Sequence, residues 1–235
     1  MKSMPSKSST RKKMIRISIK KVVIPQFHLK DFPGFSEKNL FDFVRYYDSQ
    51  MTKHHAPERR VGWNSADSQK IRFETFISAA PLHRTKVLDV GCGLGAFWAH
   101  LKEQRIKPRY TGVDIFPKVV QEARRTHPGA KFEVRNILSR PFPNKSFDYT
   151  FLSGVFNVKI QDNWQYMKAL LSSALKQTQK VVAFNVLNAE AGLKESNRFS
   201  VKPRELVLFG RQLKVSKVHL FDHYHPLDLT LFLYK

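Results

Sequence analysis

The chain has one cysteine, Cys92, in 235 residues. That excludes an internal disulfide framework and suits a reducing compartment. No uninterrupted apolar stretch approaches the roughly 20 residues that a membrane-spanning helix needs. Met1–Lys13 is polar and basic with no apolar segment behind it, so it does not read as a secretory leader. Acidic side chains are scarce, 19 Asp and Glu against 41 Lys and Arg, for a formal net charge of +22. Residues 1–24 carry eight basic residues and no acid. The histidine pairs His54 with His55 and His223 with His225 lack a companion cysteine or carboxylate cluster, which argues against a metal site. There is no internal repeat.

What is present is a chain with a core. Hydrophobic residues make up 42%, enough for one α/β domain with an appendage. Residues 1–30 read as a basic, flexible arm. Its lack of acids and its serines also suit an organelle transit peptide in a eukaryote, and otherwise a cytoplasmic location is expected. Met14–Ile24 alternates weakly, as an edge strand or extended arm would. Residues 31–82 read as a helical cap. In it a helix is predicted over Ser36–Lys53, N-capped by Ser36, with Leu40, Phe41, Phe43, Val44 and Tyr47 at helical spacing. A polar loop follows. A second helix is predicted, capped by Asn64 or Ser65, with Phe73, Phe76, Ile77 and Ala80 facing a core. Gln69 and Arg72 share a face of it and could reach a cofactor carboxylate, for which a guanidinium is suited. The alternative is a solvated helix face.

Residues 83–235 alternate strand and helix. Strands are predicted at Lys86–Val90, Tyr110–Asp114, Lys131–Arg135, Phe147–Ser153 and Lys180–Leu187. Helices are predicted at Leu94–Gln104, Pro117–Thr126 and Gln161–Gln177, with a short one at Pro203–Leu208. Such alternation implies a parallel sheet covered on both faces. Two last strands, Gln212–Leu220 and Leu229–Tyr234, have a connector too short for a helical crossover and should pair antiparallel.

The chemistry concentrates in Lys86-Val87-Leu88-Asp89-Val90-Gly91-Cys92-Gly93-Leu94-Gly95. An apolar strand runs into three alternating glycines and then a helix. This is how a backbone is brought close to a ligand beside free helix N–H groups. The spacing is G-x-G-x-G rather than the G-x-G-x-x-G of a dinucleotide turn, and Asp89 precedes it. The next strand ends in Asp114, about 20 residues on, where a carboxylate can accept both hydroxyls of a ribose. An adenosine or a dinucleotide could both use that acid, but the glycine spacing and Asp89 argue against a pyrophosphate cradle. Cys92 reads as a small packed residue of the turn, and Phe156 and Trp63 as packing rather than stacking platforms.

Val87–Gly95 together with Asp114 resembles motif I and the following acidic strand end of the class I S-adenosylmethionine-dependent methyltransferases. Gly62-Trp63-x-Ser65-x-x-Ser68-Gln69-x-x-Arg72-Phe73 and Ser153-Gly154-Val155-Phe156-Asn157 are similar to a group of small bacterial members. The resemblance implies an α/β fold with a doubly wound, mostly parallel seven-stranded sheet and an antiparallel C-terminal strand pair, and S-adenosylmethionine as cofactor. It places Asp89, Gly91, Gly93 and Gly95 along the methionine and ribose side and Asp114 on the ribose hydroxyls. Ile115 would lie on the adenine, and Asn136, where the family often has an acid, would accept from the adenine amino group. Ser153 and Gly154 would face the methyl. The two-proline signature of amino-methyltransferases acting on nucleic acid is missing there.

A sulfonium cofactor is already activated, so the expected reaction is direct in-line methyl transfer with little acid–base machinery. The catalytic residues are left open. A small-molecule acceptor is expected. The alternatives are RNA, drawn by the basic surface, although no RNA-binding module or interleaved aromatic pattern is present, and a non-catalytic cofactor-binding protein.

Overall fold

A computed structural model describes residues 27–63, 65–78, 80–192 and 195–235. The arm and the weak alternation at Met14–Ile24 lie outside those residues, apart from the last residues of the arm. A seven-stranded path in the order β3-β2-β1-β4-β5-β8-β7 forms the sheet. β1 is Lys86–Val90, β2 Arg109–Asp114, β3 Lys131–Val134, β4 Phe147–Leu152 and β5 Thr178–Asn188. These five pair in parallel. β7 (Lys217–Phe221) and β8 (Asp228–Tyr234) close the sheet antiparallel, as the short connector requires. A two-residue strand, β6 (Ser200–Val201), pairs with the end of β5 off that path.

Side chains on β1 alternate between faces, as a pleated strand demands. Leu88 packs with Met167 and Leu171 of α6 (Asn163–Gln177) and Leu206 of α7 (Pro203–Gln212). Val87 packs on the other face with Phe97 of α4 (Ala96–Glu103) and Val120 of α5 (Pro117–Thr126). α3 (Ala66–Ser78) joins that second face through Phe73 and Phe76. Phe76 is fully buried, 5.0 Å from the ring of Phe151. Burial of one such ring contributes about 1.5–3 kcal/mol. This anchors the segment before β1 to the sheet.

α1 (Glu37–Lys53) opens on Ser36, whose Oγ accepts the Asn39 N–H at 3.1 Å. α3 is capped by Ser65, whose Oγ accepts the Ser68 N–H at 3.1 Å. The loop expected between them contains one helical turn, α2 (Pro57–Arg60), begun by a proline that needs no N–H partner there. α7 runs to Gln212, into the stretch predicted as the start of the penultimate strand. Leu206 and Phe209 bury against the sheet at helical spacing and hold that extra turn. Among the described residues no helix is long and apolar enough to cross a membrane.

Candidate active site

A cavity lies at the carboxyl ends of β1, β2, β3 and β4, where open α/β sheets place their ligands. Its floor is the glycine turn after β1. Gly91 and Cys92 both donate to the Val113 carbonyl, at 2.8 and 3.0 Å, which folds the turn back over β2. Gly91 has φ +75°, and a Cβ there would stand 2.7 Å from Cγ2 of Val155. Only glycine satisfies both the dihedral and the space. Gly93 lines the cavity; Gly95 sits behind it as the N-cap of α4.

Two acids flank the turn, Asp89 buried and Asp114 half-buried. Asp114 Oδ2 accepts the Gly93 N–H at 3.0 Å, and its Oδ1 accepts the Phe116 N–H at 3.1 Å. Burial raises its pKa, and the backbone donors oppose the rise. Asp89 accepts the Tyr110 hydroxyl at 2.6 Å. Burial pushes its pKa up to about 7, against that hydrogen bond. Both carboxylates line the cavity, and each oxygen of Asp114 keeps lone-pair capacity for a further donor.

The roof comes from the N-terminal helices. Phe43 and Tyr47 of α1 lie over Phe116, with ring centroids 5.9 and 5.3 Å away. Val61 approaches Gly93, and Trp63 lies so close to Gly154 that a Cβ there would be 2.7 Å from the indole. Arg60 of α2 clamps Glu122 of α5 with two bonds of 2.5 and 2.6 Å, and Lys118 reaches Asp48 at 2.6 Å. The roof is thus tied to the same helix that follows Asp114.

Asp89, Gly91, Gly93, Asp114, Ile115, Asn136, Ser153 and Gln69 all line this cavity. Asn136 does so with its amide already engaged. Its Nδ2 donates to the Asp31 carbonyl at 3.0 Å and its Oδ1 accepts the Leu138 N–H at 2.9 Å. Arg72 is placed differently from both readings of the sequence. It is neither on a solvated face nor among the lining residues. It is 3% exposed, paired with Asp228, donating to Ser68 Oγ at 2.5 Å and lying 4.5 Å from the Trp63 ring. Asp228, which opens β8, neutralises the charge that a cofactor carboxylate would need. His225 Nδ1 stands 2.9 Å from the same carboxylate, and Tyr224 bonds Thr230 at 2.8 Å beside it.

Of the further lining residues, Arg198 and Tyr166 carried no sequence signal, whereas Asn157 ends the motif that begins at Ser153. Arg198 comes from the segment before β6, and Asn157 and Tyr166 from beyond β4. Asn157 Oδ1 is buried without a hydrogen-bond partner. Tyr47 and Phe43 were legible as one helix face, but not as a roof.

The lining suits a nucleoside bearing a charged amino-acid chain. The turn offers close backbone approach, Asp114 lines the cavity with acceptor capacity to spare, and a side chain at position 91 would meet Val155.

Comparisons with known proteins agree with this geometry. The family described as a methyltransferase domain matches residues 87–178. A protein of Mycobacterium tuberculosis assigned as a methyltransferase is 25% identical over 156 residues, which span 63% of this chain and 91% of that one. The ribosomal RNA small subunit methyltransferase C of Actinobacillus pleuropneumoniae serotype 7 is 26% identical over 156 residues. The match covers 66% of this chain but 46% of that protein, less than half its length. In fold, the chain resembles magnesium protoporphyrin IX methyltransferase from Synechocystis PCC 6803, solved with S-adenosylhomocysteine. The TM-score is 0.56 at 13% identity, covering 83% of this chain and 93% of that one.

Proposed function

We propose that this chain, a class I S-adenosylmethionine-dependent methyltransferase, takes as its acceptor a small molecule held under the roof of α1, α2 and Trp63. The observation that carries this reading is the roof itself. Phe43, Tyr47, Val61 and Trp63 lie across the cavity from the glycine turn, and Val61 and Trp63 touch Gly93 and Gly154. A cavity so covered suits a compact acceptor better than an extended polymer.

In this reading residues 83–235 bind the cofactor, residues 31–82 form the cap over the acceptor, and residues 1–30 are an accessory basic arm. Gly91, Gly93 and Gly95 shape the cradle for the methionine and ribose portion. Asp114 takes the ribose hydroxyls and Ile115 packs on the adenine. Asn136 fixes the strand end beside the adenine through its own backbone bonds rather than by accepting from the amino group. Asp89 supports the turn through Tyr110, and Gln69 is the polar residue of α3 left to meet the cofactor carboxylate. Ser153 and Gly154 face the transferred methyl. When bound, S-adenosylmethionine would supply an already activated methyl to the acceptor, so no residue of the cavity is needed to activate the methyl donor. The protein's part is to align the two reactants and to exclude water, which proximity makes worth several kcal/mol.

A second reading, an RNA acceptor, is favoured by the net charge of +22 and by the relative that acts on ribosomal RNA. The discriminating experiment incubates labelled cofactor with cell extract and separates RNA, protein and metabolite fractions. Label in the metabolite fraction supports the first reading, and label in RNA overturns it. Titration calorimetry with S-adenosylhomocysteine tests the cofactor roles. Asp114→Ala should weaken affinity by about 10–100-fold, the loss of one charged hydrogen-bond partner or two. Unchanged affinity would remove Asp114 from the site.

A further inference from the structure

Beside the cofactor cavity lies a second pocket lined by Tyr46, Gln50 and His54 of α1 and its C-cap, Arg59 of α2, Trp63 and Arg198. Gly62, Trp63 and Arg198 belong to the walls of both cavities. The second one is therefore an antechamber to the first, on the side of the roof.

Its lining differs sharply from the aromatic first cavity. It carries two guanidinium groups, an imidazole, an amide and a phenol, and no carboxylate. Arg59 makes no ion pair among the described residues. Among the described residues Arg198 is engaged on one edge, its Nε 3.0 Å from Oε2 of Glu195. The side chain of Arg198 is 19% exposed, whereas Glu195 is 53% exposed. The partner is thus the more solvated of the two, and the remaining guanidinium edge stays available. The two arginines share this pocket with Gln50 and Tyr46, and a guanidinium is the group that binds an oxyanion in bidentate fashion. In the adjoining cavity, the buried and unpartnered Oδ1 of Asn157 calls for a donor hydrogen.

We propose that this antechamber is the recognition site for an oxyanion, a carboxylate or a phosphate, carried by the methyl acceptor. Arg59 and Arg198 take the anion, and the far end of the same molecule presents its N–H or O–H through the shared wall to Asn157 and the methyl site. The inference rests on the small-molecule reading above and narrows it: the acceptor is an anion with a nucleophilic heteroatom at its other end. It also assigns part of the basic excess to one defined site.

The test uses the full chain saturated with S-adenosylhomocysteine. Inorganic phosphate, phenyl phosphate and benzoate are each titrated at constant ionic strength, with tryptophan fluorescence as the readout because Trp63 stands in the shared wall. The expected result is saturable binding of at least one of these anions. Arg59→Gln and Arg198→Gln should each weaken it by about tenfold or more, the loss of a charged hydrogen-bond donor pair. Arg211→Gln, on the exposed end of α7, should leave it unchanged. Preference for phenyl phosphate over benzoate, or the reverse, tells which oxyanion the acceptor carries. Thioether affinity should stay within roughly twofold in Arg59→Gln, because Arg59 lines the antechamber and not the cofactor cavity. Absence of saturable anion binding, or binding indifferent to both substitutions, overturns the proposal while leaving the methyltransferase reading intact. Failure of the wild type to bind the thioether instead overturns that reading. Bound phosphate displaced by an RNA oligonucleotide, with the oligonucleotide dependent on the same two arginines, would overturn the small-molecule assignment of the pocket.

Discussion

The two walls of the site are made differently. The wall below, at the ends of β1 and β2, is built mainly from backbone. Its dimensions come from the turn at Gly91–Gly95, its hydrogen bonds from the Val113 carbonyl and the Gly93 N–H, and one carboxylate, Asp114, ties it together. The wall above is built from side chains. Phe43, Tyr47, Val61 and Trp63 form it, and buried or half-buried ion pairs brace it. A backbone-built wall needs a particular residue at each position, so its sequence is almost prescribed. A side-chain wall needs only volume and one charge pair in the right place, and many sequences would serve.

The difference can be broken open by substitution. The largest effect is expected from Arg72→Ala. It leaves the buried Asp228 without its guanidinium partner, with only His225 beside the carboxylate, and stability should fall by about 3–5 kcal/mol in urea unfolding. A double-mutant cycle with Asp228→Asn should show strong coupling, and additive losses would mean that the pair does not hold the roof. Next is Gly91→Val. The added side chain meets Val155 in a left-handed backbone, so thioether affinity should drop about 100-fold or more, equivalent to ~2.7 kcal/mol. If calorimetry shows affinity within a few-fold of wild type, the turn does not carry the cofactor.

A smaller effect concerns pH. The Asp89 carboxyl has its folded pKa raised from 3.8 to about 7, chiefly by burial. Between those values the folded state binds more protons than the unfolded one, so this group's contribution is full below pH 3.8 and is lost as pH rises towards 7. The slope can reach about 1.4 kcal/mol per pH unit. Asp89→Asn should flatten the stability profile between pH 5 and 7, as read from urea midpoints. A profile as steep as that of the wild type would assign the slope to another group.

These contrasts explain what could be read in advance. The strand pattern from Lys86 to Leu187 is dictated by buried β-branched runs and turn glycines, and the observed strand ends fall within two residues of those expected. Gly91, Gly93 and Asp114 were legible because their roles are local. Arg72 was not, because its partner Asp228 lies 156 positions away and nothing local to α3 marks the pair. Arg198 was equally hidden: it is brought to the site by its bridge to Val158 and by β6 joining the end of β5. The end of α7 was misjudged for a related reason. Residues near Gln212 have no strong preference of their own, and the sheet under Phe209 decides.

The clamp between Arg60 and Glu122 bears on turnover rather than on binding. It joins α2, one short turn long, to α5 and thereby to the strand end that holds Asp114. Lifting α2 away from α5 would part these two side chains. Both are about one-fifth exposed, within reach of dissolved ions, and a partly wet pair weakens as ionic strength rises. Release of a ligand from under the roof would then quicken with salt even as capture of the anionic acceptor proposed above slows. A methyltransferase so built would show its fastest steady state at an intermediate ionic strength, set by the crossing of two opposite electrostatic dependences.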